Sequence, residues 1–339
     1  MTFRSRWAVA APFMDSSDGR WLSEFVTDDR FSFVKVPRPG IETNWHQRSW
    51  RISGPREWLD YMLQAHQALG TGADGVITVF PQLAATVAMQ KRLQRKDLPV
   101  LAWFFNTDLQ DGARLRSARR SLPAIDRFVV HSRREIDLYS RRLGLSADRF
   151  EFTHLQYGGS IAQDPVDEQQ PFVFATGSGY RDYGTFFAAI DKLGYRTLVL
   201  PGMHSLNGLT VPGSVTVLPQ LSKNEIHSLI RRARVNVVPL NLDGANGGLV
   251  TMVETFRHGR AVVSTWRPGV EDYVVPDVNA LTHTFADPSS LADAIEAMWS
   301  DPALRDRLNN GAAAFADANC TDQAAAATLT RILQELAVS

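Results

Sequence analysis

The chain is nearly devoid of cysteine: among 339 residues only Cys320 carries a thiol. A disulfide within the chain is therefore impossible, and a reducing compartment, read here as the cytoplasm, fits best. Runs of about 18 apolar residues are missing too, so no segment reads as a membrane-spanning helix. The opening MTFRSRWAVAAPFMD has basic residues and an apolar run, but the run is too brief for a signal peptide and no clean small-residue cleavage site follows. It reads as a first buried strand. The usual metal signatures HExxH, paired CxxC and Asp-x-Asp are absent, so no metal ion is expected. Lack of a Walker A sequence argues against an ATPase, and GSGYRD lacks the third glycine and later acid of a dinucleotide fingerprint.

What is present is ordinary for a globular protein, with 44% hydrophobic and 21% charged residues, and the length argues for two domains. Short β-rich runs (WAVAAPF, FSFVKV, GVITVF, VLAWFF, RFVVHS) alternate with helical patterns such as REWLDYMLQAHQAL and QLAATVAMQKRLQ. That alternation is the mark of βαβ units and a parallel sheet. It breaks at FTHLQYGGSIAQDPVDEQQP, where glycine, proline and polar residues suggest a linker, and resumes as FVFATG, RTLVLPG, VTVL, VNVVPL and AVVST with helices between them. The expected fold is α/β, with two Rossmann-like doubly wound domains facing a cleft. Expected boundaries are residues 1–160, residues 161–318 and a last helix over 319–339 that packs back on the first domain.

The formal net charge of zero hides an asymmetry. Residues 1–160 hold 23 Lys+Arg against 17 Asp+Glu, net +6, and the remainder is net −6. A basic first half suits an anionic acceptor, an acidic membrane surface touched peripherally, or RNA. QKRLQRKD and RLRSARR are its densest patches, and each reads equally well as a solvated helix face.

The segment GANGGLVTMVETFRHGRAVVST, residues 244–265, carries the most specific chemistry. Gly247 and Gly248 let a backbone approach a ligand, and a helix starting near Leu249 and Val250 presents unpaired N–H groups and the positive end of its dipole. This combination binds phosphate. Glu254 lies about 9 Å further along the axis, a reach suited to hydroxyls of a sugar joined to that phosphate. Packing of the helix on its sheet, with a merely exposed glutamate, is the plainer alternative.

The run PLNLDGANGGLVTMVETFRHGRAVVSTWRPGVEDYV, with VLPQLSKNEIHSLIRRARVNVVPL before it and DVNALTHTFADPSSLADAI after it, resembles the donor domain of GT-B fold glycosyltransferases of the retaining GT4 type (glycosyl transferases group 1). Gly259, Val262, Val263, Gly269 and Glu271 stand in the family's order. The resemblance covers roughly residues 172–300, whereas the first half is similar only in architecture and in a few local features. It implies a nucleoside-diphosphate sugar, UDP- or GDP-linked, as donor substrate and no further cofactor. By resemblance Glu254 contacts the ribose of the nucleotide. The family's other glutamate, eight positions earlier, is Asn246 here, an amide that hydrogen-bonds a hydroxyl but carries no charge.

The resemblance also makes Arg181, in ATGSGYRDYGTFFAAI, the residue that clamps the diphosphate; the plainer reading is an exposed arginine paired with Asp182. A second basic position, about five residues upstream, is Thr176. In the first half, Gly19 and Arg20 of DSSDGRW match a phosphate or acceptor loop, with a helix cap at Ser17 or Asp18 as the alternative. Asn106 and Asp108 follow the strand VLAWFF where related transferases carry a histidine near the reacting sugar, or else form a turn. His46 and Arg48 of NWHQRSW are acceptor-side candidates, and His131 reads as a strand end. These residues together point to a metal-independent retaining glycosyltransferase. Two alternatives stay open: a non-catalytic GT-B partner protein, and a nucleotide-sugar epimerase.

Overall fold

The structure is a computed structural model and describes residues 4–14, 20–39, 54–107, 112–202, 204–242 and 247–338. It divides into two compact units, Met1–Thr153 with Ala325–Ser339, and His154–Ala324.

The first unit holds β1 (Ser5–Ala10), β2 (Phe31–Val36), α1 (Pro55–Gly70), β3 (Gly75–Val79), α2 (Pro81–Leu93), β4 (Val100–Trp103), α3 (Ala113–Ser121), β5 (Arg127–Val130), α4 (Arg133–Leu143) and β6 (Phe150–Phe152). Its sheet has the order β2-β1-β3-β4-β5-β6, with every neighbouring pair parallel. Alternation along β1 sorts its side chains to two faces. Ala8 and Ala10 join the cluster that includes Tyr61, Ala65, Leu83 and Val87 of α1 and α2. Trp7 and Val9 join the other, whose cover is Ala325, Leu329, Ile332 and Leu333 of the last helix of the chain, α10 (Asp322–Val338). Their spacing of four, three and one puts them on one helical face. Helix α4 starts at a capping box: the buried Glu135 carboxylate accepts from the backbone N–H groups of His131 (3.1 Å) and Ser132 (3.2 Å), satisfying donors a helix start leaves open.

The basic patches lie on solvated faces. In α2 and the turn after it Arg92, Arg95 and Lys96 are exposed, while Lys91 reaches Asp126 at 3.0 Å; in α3 Arg116, Arg119 and Arg120 are exposed.

The second unit contains β7 (Val173–Gly177), α5 (Tyr183–Leu193), β8 (Thr197–Pro201), β9 (Val215–Val217), α6 (Lys223–Arg232), β10 (Val235–Val238), α7 (Leu249–Arg257), β11 (Val262–Thr265), β12 (Ala280–His283), α8 (Pro288–Ser300) and α9 (Pro302–Asn319). Its sheet order is β12-β11-β10-β7-β8-β9, again all parallel. Chain order therefore reverses between β7 and β10, the doubly wound arrangement in which a ligand binds at the carboxyl ends of the two strands flanking the reversal. Strands β6 and β12 are additions to those expected from sequence. No described helix is long and apolar enough to cross a membrane.

Candidate donor site at the switch point of the second unit

Two loops meet where β7 and β10 end. Asp182 N–H donates to Pro239 O (3.0 Å), Asn241 N–H donates to Tyr180 O (3.0 Å), and Arg181 bridges Leu240 in antiparallel fashion. These bonds clip the loop carrying Arg181 to the loop leading to the glycines.

Arg181 is held by three donated hydrogen bonds: from Nε to Thr176 O (3.0 Å), from Nη1 to Gly179 O (2.8 Å) and from Nη2 to Thr251 Oγ1 (2.9 Å). Gly177, at φ +112°, leaves the guanidinium its place, since a Cβ there would stand 2.2 Å from Nη2. A guanidinium carries five N–H donors, so two remain among the described contacts. None of its described partners is a carboxylate. The expected alternative of a pair with Asp182 is corrected, because Asp182 caps α5 by accepting from Thr185 N–H (3.0 Å) and Thr185 Oγ1 (2.7 Å). Burial pushes Arg181 down to about 10; the nearby Tyr183 opposes that, and the cation of Arg267 adds to it. It stays protonated at neutral pH. A desolvated cation beside a second cation gains from an arriving anion.

Thr176, the residue at the second clamp position, contributes only its backbone carbonyl to this arrangement. The second guanidinium comes instead from Arg267, which follows β11, is buried, and donates from Nη2 to Gly247 O (3.2 Å).

The glycines and the start of α7 lie beside these two guanidinium groups. Gly247 is buried, and a Cβ on it would meet Tyr180 Cβ at 2.8 Å and Arg267 Nη2 at 2.9 Å. Gly248 caps α7 in the left-handed region (φ +89°) with Leu240 Cδ2 2.9 Å and Val238 Cγ1 3.1 Å from where a Cβ would sit. We expect Gly248→Ala to lower stability by about 1–3 kcal/mol through backbone strain alone, read as a shift of the urea midpoint. Leu249, Met252, Val253 and Phe256 bury the opposite face of α7, while Val250 is half exposed. Thr251 and Glu254, three residues apart, share the face toward Arg181 and α6.

Glu254 is the least usual carboxylate in the unit. Its side chain is only 18% exposed, yet no described residue donates a hydrogen bond to it. Lys223 Nζ and His227 Nε2 stand off its Oε1 at 3.7 and 3.6 Å, beyond hydrogen-bond range. The Glu254 oxygens stay open to solvent, so the acceptor positions the protein leaves unused are accessible to a ligand. Sequence reasoning named Glu254 but missed Lys223, His227, Thr251 and Arg267. For Thr251 a cue existed in its helical spacing from Glu254; for the others none did.

A hydrogen-bond chain fixes the end of β10. Leu240 N–H donates to Thr265 Oγ1 (2.8 Å), whose own proton goes to His283 Nε2 (3.0 Å), so His283 Nδ1–H faces Thr284 O (2.9 Å). Neutral His283 satisfies all three. Burial holds its ionisation below the usual histidine range, against the pull of the Thr284 carbonyl. The unfolded chain thus binds protons first as pH falls below about 6.5, and stability drops across that window. Urea midpoints should decline from pH 7 to pH 5, and His283→Asn should flatten the decline. His258, also buried, follows the same sign.

The remaining expected residues fall elsewhere. Arg20 belongs to the first unit, 90% exposed and paired with Glu24 at 3.8 Å. Asn106 is exposed at the end of β4. Gly19, His46, Arg48, Asp108 and Asn246 lie outside the described residues, as do Ser17 and Asp18. His131 is buried with Nδ1 2.9 Å from Thr153 O. Among the described residues no group of three or more His, Cys, Asp or Glu side chains is placed to hold a metal ion.

Two parallel six-stranded sheets, each flanked by helices and the second reversing at a switch point, define a protein of the GT-B fold. Solved structures agree. A sucrose-phosphate synthase from Thermosynechococcus elongatus superposes with a TM-score of 0.74 at 18% identity, covering 99% of this chain and 100% of that one. A glycosyltransferase from Rickettsia africae gives 0.69 at 12%, covering 98% of each, and Anabaena HepE, solved in complex with UDP-glucose, gives 0.66 at 13%, covering 98% and 99%. No curated protein sequence matches. Residues 206–315 match the family model Glycosyl transferases group 1. The chain accordingly has the GT-B fold, and its similarity to the group 1 glycosyltransferases lies in residues 206–315.

Proposed function

We propose that this protein is a retaining glycosyltransferase of the GT4 type, taking a UDP- or GDP-linked sugar in its second unit and passing the sugar to an acceptor hydroxyl without a metal ion. The observation that carries the reading is Glu254: a part-buried carboxylate to which no described residue donates a hydrogen bond, one helical turn from the Thr251 that receives Arg181, on a helix whose start is Gly248. Phosphate at the helix start and ribose hydroxyls at Glu254 would fill both needs with one ligand. The complex of HepE with UDP-glucose supports a nucleotide-sugar donor.

In the reaction, the bond between the anomeric carbon and the diphosphate oxygen breaks while the acceptor oxygen bonds to that carbon from the same face. The acceptor proton passes to a phosphate oxygen. Negative charge grows on the leaving diphosphate, where the remaining N–H groups of Arg181 and the first turn of α7 stabilise it. The exposed arginines of α2 and α3 favour an anionic acceptor, and cytoplasmic location with peripheral membrane contact belongs to the same proposal.

The test is a thermal-shift panel of UDP, GDP and their sugars, with Glu254→Gln as control. A donor at 100 times its Kd adds about 2.7 kcal/mol of stability. A selective shift lost in the variant is the expected result. No shift with any member would overturn the donor assignment. Full donor binding without turnover on any acceptor would favour a non-catalytic partner protein, the reading motivated by Asn246. Release of a free or inverted sugar without acceptor would favour an epimerase.

A further inference from the structure

Behind Glu254 lies a cluster of polar rings drawn from three separate stretches of chain. His227, 4% exposed at its side chain, points Nε2 toward Glu254 Oε1 and Nδ1 toward the Tyr157 hydroxyl, 3.2 Å away. No hydrogen bond reaches that buried Nε2. The ring is fixed on two further sides: Tyr157 meets it edge-on at 5.4 Å and 87°, and His258 lies over it at 4.5 Å and 36°. His258 is itself committed, because its Nδ1 must carry the proton it shares with Glu254 O (2.7 Å). Lys223 Nζ sits 4.8 Å over the Tyr157 ring and 3.7 Å from Glu254 Oε1, on a side chain that is 60% exposed.

The protons decide what this arrangement does. Tyr157 has one hydroxyl proton and two neighbours at 3.2 Å, Ser160 O and His227 Nδ1. If it donates to His227, the neutral imidazole carries its hydrogen on Nε2, facing Glu254. If it donates to Ser160 O, then Nδ1–H of His227 donates to the hydroxyl oxygen, and a bare Nε2 would oppose a carboxylate lone pair. The favourable arrangement keeps a hydrogen on Nε2 aimed at Oε1. At 3.6 Å it orients the carboxylate electrostatically without occupying its acceptor positions.

We propose that His227, held by Tyr157, is the positioning residue for Glu254, keeping the carboxylate aimed at the ribose hydroxyls of a bound nucleotide. The proposal rests on the donor reading above. It assigns a role in recognition of ribose to a residue of α6 and to Tyr157, which lies on the stretch between β6 and β7.

The experiment compares binding of UDP with 2′-deoxy-UDP, and of GDP with 2′-deoxy-GDP, by calorimetry. Wild type is expected to prefer the ribonucleotide at least tenfold. His227→Leu should bring that ratio close to one while binding of the deoxy form stays within about threefold. His227→Gln, whose amide can present an N–H near the Nε2 position, should recover most of the ratio. Tyr157→Phe removes a single oxygen from the cluster and should narrow the ratio severalfold, which keeps the test available if the leucine variant does not fold. A leucine variant with the full wild-type ratio, or a glutamine variant no better than leucine, would overturn the positioning role and leave the donor site intact. Wild type that binds both forms equally would overturn the ribose role of Glu254 and this inference with it. Wild type that binds neither diphosphate would sink the donor reading itself.

Discussion

Arg181→Ala is expected to weaken nucleoside-diphosphate binding or turnover by at least tenfold, about 1.4 kcal/mol. Charge-assisted hydrogen bonds to phosphate oxygens contribute about 1.5–3 kcal/mol each, and the variant forfeits the two N–H groups of the desolvated guanidinium that no described contact uses. The substitution also releases Thr251, Thr176 O and Gly179 O, so alanine reports on loop geometry as well as charge. Lysine separates the two. Arg181→Lys retains the charge but loses the fork that joins β7, α7 and ligand, and should recover less than half of the lost free energy. Titration calorimetry with UDP and GDP reads both variants. Wild-type affinity in Arg181→Ala would remove this residue from the site.

Glu254→Gln should cost a similar factor, at least tenfold, for a different reason. The amide keeps the volume and one acceptor oxygen but exchanges the other for a donor, which cannot take a hydrogen bond from a second ribose hydroxyl. The free protein should not be weakened, because no described group donates a hydrogen bond to the native carboxylate. An unchanged melting temperature without ligand, together with a lost shift on adding ligand, is therefore the signature to look for. Loss of stability in the free variant would mean that Glu254 is structural, held by Lys223 and His227 more firmly than their separations imply.

The βαβ alternation was legible because buried parallel strands are short apolar runs and their helices carry the 3.6-residue period. Two strands escaped. FEF of β6 is three residues long and abuts the polar stretch that reads as a linker, and ALTH of β12 has neither a sustained apolar run nor a clear alternation. The unit boundary falls at Thr153, inside the glycine- and proline-containing stretch that reads as a linker. Within the candidate site, Gly247, Gly248 and Glu254 stood out because the pattern that singles them out is a local spacing around one helix start. Arg267, His227 and Tyr157 did not, because they reach the site from distant parts of the chain, brought there by sheet order and packing. Arg181 was visible as a residue type in a plausible loop, yet its partners were not: Asp182, the neighbour in sequence, turns away to cap α5, and the hydroxyl that receives the guanidinium is 70 residues away.

The aliphatic side chains of α10 close one face of the first sheet over Trp7 and Val9, although α10 is made only after the second unit. During synthesis that face waits uncovered while the ribosome completes everything after Thr153, on the order of ten to forty seconds at usual elongation rates. The second unit has all of its strands before then. The second unit can therefore finish folding before the first, and the tryptophan-lined face is the surface a chaperone would need to shield in the interval.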